Sequence, residues 1–138
     1  MNRSITIPCS KSKLESVREF VSGILAHYEF SEIDSHKIIL AIDEVCANLI
    51  IHSNNCNPQV SLQVAIDFIP KKSITFIIKD SGLSFDITQY KEPSMNEIVS
   101  SQRKGGIGLM LVKRIMDKIE FSQENNYNIC RLTKILSS

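Results

Sequence analysis

No stretch of this 138-residue chain approaches the ~20 consecutive apolar residues of a membrane-spanning helix, so no transmembrane segment is expected. The chain also lacks an excess of either charge. Sixteen Lys and Arg against fifteen acidic residues leave a formal net charge of +1, which argues against nucleic acid or an anionic membrane as the main partner. Paired cysteines are missing too. Cys9, Cys46, Cys56 and Cys130 form no Cys-x-x-Cys pair, and Cys46 sits inside an apolar run. Scattered single cysteines read as buried thiols of a reducing compartment, not as a zinc site or a disulfide framework. The N-terminal run Met1 to Pro8 is too short in apolar residues for a signal peptide, and a cytoplasmic protein is the simplest expectation. No internal repeat, low-complexity tract or second-domain boundary is visible, so residues 1–138 are expected to form a single domain.

The apolar fraction of 43% and charged fraction of 22% are ordinary for a globular protein, and the length suffices to bury a core. The most informative stretch runs from Ile38 to His52. Ile38, Ile42, Val45 and Leu49 recur at helical spacing and mark a buried stripe. Glu44, Asn48 and His52 are each four residues apart, so they share one face of the helix. A carboxylate and an amide in an apolar helix must be hydrogen-bonded, metal-bound or open to a cavity, because an unpaired buried polar group is costly. Either the row opens onto a nucleotide and its magnesium, or Glu44 sits at a rim and Asn48 bonds a neighbouring loop. His52 ends the helix, where a cation is favourable, and reads as structural.

Around this helix the chain falls into short elements. Ile5 and Ile7 alternate with polar residues in a strand stopped by Pro8. Ser12 is placed to cap a helix carrying Leu14, Val17, Val21, Ile24, Leu25 and Tyr28 on one side. Ser31 to Ser35 reads as a break before the central helix. Val60 to Phe68 alternates strictly, Pro70-Lys71-Lys72 turns the chain, and Ile74, Phe76 and Ile78 return it as an antiparallel hairpin. Lys79, next in line, reads as a solvated strand residue. A long polar connection, Ile87 to Lys104, closes in Gly105-Gly106-Ile107-Gly108, where a third helix is expected to start. Strands from Glu120 to Ser122 and from Tyr127 to Leu136 complete the chain. The order predicts an α+β fold: a two-layer sandwich of one mixed, mainly antiparallel sheet with helices on one face.

Two further segments carry chemistry. Glycines leading into a helix allow close backbone approach, and the helix N-terminus offers unpaired N–H groups, which together suit phosphate; a plain turn fits the same residues. No Lys-Ser/Thr follows, so this is not a Walker loop, and it follows a loop where a dinucleotide fingerprint follows a strand. At a strand end, Asp80 followed by Gly82 offers a carboxylate to an exocyclic amine and a bare backbone to a flat base. The alternative is a turn in which Asp80 bonds the backbone two residues on.

Taken in order, Glu-x-x-x-Asn on a helix, Asp-Ser-Gly-Leu-Ser-Phe-Asp after a strand, and Gly-Gly-x-Gly-Leu-x-Leu-Val after a loop resemble the ATPase superfamily shared by gyrases and histidine kinases. Glu44 to His52 matches its N box, Asp80 to Asp86 its G1 box and Gly105 to Val112 its G2 box, so the resemblance covers nearly the whole chain. Within that superfamily the chain is most similar to the small anti-sigma factor serine/threonine kinases of the RsbW and SpoIIAB type. The resemblance implies the Bergerat ATP-binding fold, ATP and Mg²⁺ as cofactors, and a set of roles. Asn48 gives its side-chain oxygen to Mg²⁺, and Glu44 is the catalytic base that takes the proton of a serine hydroxyl. Asp80 reads the adenine amine with Gly82 beneath the ring, and Gly106, Gly108 and Leu109 belong to the nucleotide-binding turn, the glycines holding phosphates. Residues from Ile87 to Lys104 form the ATP lid, and Thr133 supports the adenine through water. From charge and position, Lys104 or Arg103 reaches the γ-phosphate.

The partners implied are a small anti-anti-sigma protein of the STAS fold, whose serine is phosphorylated, and a sigma factor that is sequestered; nucleic acid is not contacted directly. Members of the family often form homodimers, although no heptad or exposed apolar run here marks such a face. No helical hairpin with a phosphoacceptor histidine is seen, which argues against a complete sensor histidine kinase. Two other readings fit the same motifs: a binding module in which ATP only gates partner affinity, and a detached histidine-kinase-like ATPase domain with another substrate.

Overall fold

A computed structural model describes residues 2–50, 60–80, 104–124 and 127–136. The strict alternation foreseen near residue 64 builds the middle of the sheet. Strands β2 (Ser61–Ile69) and β3 (Ser73–Asp80) pair antiparallel, Val64 opposite Ile78 and Ile66 opposite Phe76. Leu62, Val64 and Ile66 on β2 and Ile74, Phe76 and Ile78 on β3 are buried, while alternates such as Gln63 and Thr75 take the other face. The turn between them carries Pro70 and then Lys71 at φ 65°, and the Lys72 N–H donates to the Ile69 carbonyl at 3.0 Å, a type II pattern.

β1 (Asn2–Pro8) pairs with β2, ending at Pro8, which an edge strand tolerates. β4 (Lys118–Glu124) and β5 (Tyr127–Ile135) form a second hairpin, and β5 docks beside β3. The order is β1-β2-β3-β5-β4, and every pairing is antiparallel, so the parallel component allowed by a mixed sheet does not occur among the described strands. Helices α1 (Leu14–His27), α2 (Glu32–Asn48) and α3 (Lys104–Ile115) provide the second layer, with α2 packed against both others. Val21, Leu25, Ile38, Ile42 and Val112 join Val64, Phe76 and Leu132 in one buried core.

Three helix starts differ from expectation. α2 begins at Glu32, because Ser31 Oγ accepts the Asp34 N–H at 3.1 Å and Glu32 and Asp34 supply acid to the first turn; no break runs to Ser35. Ser12 does not cap α1. It lies in a 3-10 turn, Lys11–Lys13, that runs straight into the helix, with its Oγ 2.9 Å from Ser10 Oγ. α3 begins at Lys104, so Gly105, Gly106 and Gly108 lie within its opening turns and not before them. Glycine disfavours helix interiors, so a reading from propensity stops at those residues.

Candidate functional site

α2 sets the first wall. Glu44 and Asn48 are one turn apart on it, each half-buried. Burial, and then the neighbouring Asp43 carboxylate, raise the Glu44 pKa above its ordinary value. A carboxylate so placed holds a proton more tightly, which suits a group that must accept one. Asp43 is itself tied to α1 by Arg18, whose guanidinium lies 2.7 Å from Asp43 Oδ1. The Asn48 side-chain nitrogen is buried with no hydrogen-bond partner among the described residues. Native interiors seldom leave such a group unmatched. An amide that can turn either end into its surroundings is a donor set suited to a hard cation and its hydration shell.

β3 sets the second wall. Asp80 closes the strand and is only 1% exposed. Its Oδ1 accepts from Asn128 Nδ2 at 3.1 Å, and Asn128 Oδ1 in turn accepts from Gln123 Nε2 at 3.0 Å. The sheet register explains this, since Asp80 pairs with Asn128 and Asn128 with Gln123. Leu49, the residue after Asn48, lines a small hollow together with Ile78, Phe121, Ser122, Asn128 and Cys130. Its walls are mostly apolar, and Asn128 links it to the Asp80 carboxylate at the end of β3.

The structure therefore brings the end of α2 and the end of β3 to one place, with α3 packed on α2. Lys104, Gly106, Gly108 and Leu109 fall in the opening turns of α3, and the first four N–H groups of that helix, from Lys104 to Ile107, have no acceptor within it. Thr133 is not brought to this site. It lies five residues beyond Asn128 on β5, roughly 17 Å along the strand at ~3.3 Å per residue, and its Oγ1 is 3.2 Å from Thr75 Oγ1 on the sheet face away from the helices. The physical reason is the two-residue period: Cys130 and Leu132 face the core, so Thr133 faces out. Asn128, which motif reading missed, occupies the position beside Asp80; its signal is the register, not any local pattern. Gly82, His52, Cys56, Arg103 and the proposed lid from 87 to 103 lie outside the described residues.

Cys9, Cys46 and Cys130 are buried and form no disulfide among the described residues. Burial pushes Cys130 up to about 12, and Cys46 higher still with help from Asp43. These thiols are inert in the core.

Comparison with known proteins bears on the same elements. A family model described as a histidine kinase-like ATPase domain matches residues 7–134. A serine-protein kinase RsbW from Halalkalibacterium halodurans is 28% identical over 137 residues, covering 96% of this chain and 82% of that protein. A second, from Bacillus pumilus, is 28% identical over 138 residues, covering 95% and 83%. Among solved structures, the RsbU and RsbW domains of a Mycobacterium tuberculosis protein superpose with a TM-score of 0.69 at 15% identity, covering 98% of this chain and 32% of that larger one. The SiaB–SiaC complex of Pseudomonas aeruginosa gives a TM-score of 0.62 at 11% identity, covering 97% and 89%. At such identities the structural likeness speaks for the fold.

Proposed function

The chain belongs to the histidine kinase-like ATPase domain family, and from that premise we propose that it is an anti-sigma regulatory kinase, acting as one domain, that uses ATP and Mg²⁺ to phosphorylate a serine of a STAS-fold anti-anti-sigma protein. Phosphorylation of that antagonist decides whether the protein holds it or a sigma factor. The observation that carries the reading is the meeting of α2 and β3: Leu49, next to the unmatched amide of Asn48, and Ile78, two residues before Asp80, line one hollow with Asn128, which donates to Asp80.

Bound Mg²⁺-ATP supplies the phosphoryl group and neutralises charge on it. This chain's residues do the rest. Glu44 accepts the proton of the incoming serine hydroxyl, helped by the burial that raises its basicity. Asn48 holds the cation through its amide oxygen. Asp80 accepts from the adenine amine. The N–H groups at the start of α3, with Gly106 and Gly108, bind phosphate oxygens. No described helix is long and apolar enough to cross a membrane. Sigma-factor binding, a homodimer and action in the cytoplasm follow from the family resemblance.

The test uses labelled ATP and a purified STAS-fold partner. Glu44→Gln is expected to keep ATP binding and to lower phosphate transfer by about two to four orders of magnitude. Transfer at the wild-type rate in that variant rules out Glu44 as the base. Wild-type protein that binds ATP without any transfer makes it a nucleotide-gated binding module.

A further inference from the structure

Asp80 does not stand alone at the end of β3. Asn128 on β5 donates from Nδ2 to Asp80 Oδ1 at 3.1 Å, and Gln123 on β4 donates from Nε2 to Asn128 Oδ1 at 3.0 Å. The chain of bonds crosses three adjacent strands at directly opposed positions, so the sheet itself fixes its geometry. Its direction is fixed as well. The Asn128 amide turns its nitrogen toward Asp80 and its oxygen toward Gln123. Gln123 must then present its nitrogen. A terminal carboxylate torsion is otherwise broad, with little intrinsic preference for one plane. Asn128 removes that freedom, and Asn128 also lines the hollow beside Leu49 and Ile78.

We propose that Asn128, braced by Gln123, is a positioning residue that sets base selectivity by holding the Asp80 carboxylate as a fixed acceptor at the end of β3. The inference rests on the nucleotide reading above and adds the determinant of which base is taken. A fixed acceptor selects a ligand with a donor at the facing position, as the 6-amino group of adenine provides. A ring with a carbonyl there sets acceptor against acceptor and is rejected, and a ring with only hydrogen there gains nothing from the carboxylate.

The discriminating pair of probes is ATP and purine riboside triphosphate, which differ only in the 6-amino group, with binding measured by calorimetry on the full chain. Wild type is expected to bind ATP the more tightly. Asn128→Leu is expected to weaken ATP about 10- to 100-fold while leaving purine riboside triphosphate within about threefold, because only the amine uses the positioned carboxylate. Gln123→Ala, at an exposed position, is expected to weaken ATP about two- to fivefold with the same selectivity. If Asn128→Leu fails to fold, the selectivity of Gln123→Ala decides alone. Equal weakening of both nucleotides, or no loss of ATP affinity, overturns the positioning role, since general damage to the site does not distinguish the two ligands. Wild type that binds both equally overturns the inference and leaves the nucleotide site standing. Wild type that binds neither overturns both.

Discussion

Glu44 owes its raised pKa first to burial and second to Asp43, and these two causes are separable by mutation. Asp43→Asn removes the second and keeps the first. A base must be ionised to work, so transfer fails as pH falls through the Glu44 pKa. The acid limb of the rate profile should therefore move to lower pH in Asp43→Asn, while part of the elevation due to burial persists. A profile whose acid limb stays in place would detach Glu44 from it. The substitution also loses the Arg18 contact, but both partners are partly exposed, at 44% and 27%, so the cost to stability is at most about 1 kcal/mol. At this scale the sequence was a good guide wherever the partners of a residue are near in the chain. Glu44 and Asn48 declare a shared face through their spacing. Asn128 declares nothing, because Asp80, to which it donates, lies 48 positions away and only strand register unites them. Thr133 was misplaced for the same reason: a residue type matched, and the alternation of β5 then turned it outward.

The elements show which local signals outrank others. The β2–β3 hairpin was legible because strict alternation and a Pro-led turn agree. The start of α2 was misjudged by weighting the apolar stripe over Ser31, whose cap determines where the helix begins. The end of α1 offers a measurable consequence. Glu29 sits at φ 63°, with its N–H donating to the Ala26 carbonyl at 3.1 Å and the Phe30 N–H to the Leu25 carbonyl at 3.0 Å. This is a Schellman stop with a side chain where glycine is the usual residue. Left-handed backbone costs a non-glycine residue about 1–2 kcal/mol, and part of that gain is offset by the greater freedom of glycine in the unfolded chain. Glu29→Gly is therefore expected to stabilise the fold by about 0.5–1 kcal/mol, raising Tm by roughly 2–4 °C in a thermal melt. A lower Tm would mean that the Glu29 side chain makes a contribution larger than the backbone strain.

For the whole molecule, the layers and the single sheet followed from the order of elements, whereas the insertion of β5 between β3 and β4 did not, since no local pattern encodes which edge a returning hairpin takes. That insertion is what puts Asn128 beside Asp80, so the site depends on the least legible feature of the fold. Function and stability should also be opposed across the molecule as a whole, and Asn48 is where to measure it. Its side-chain nitrogen is buried without a partner among the described residues, a burden of about 1–3 kcal/mol that a purely structural asparagine would not carry. Asn48→Ala removes that burden along with some packing, so the nucleotide-free protein is expected to melt at the wild-type temperature or a few degrees above it. Ligand linkage should respond in the opposite sense. With Mg²⁺-ATP at a hundredfold excess over Kd, wild type gains about 2.7 kcal/mol and its Tm rises by roughly 5–10 °C, and chelation of the magnesium removes much of the increment. In Asn48→Ala the increment should be small and the same with or without chelator, because the residue that couples the cation to the helix is gone. A variant that is less stable alone yet keeps the full magnesium-dependent rise would make Asn48 a packing residue and move the cation elsewhere.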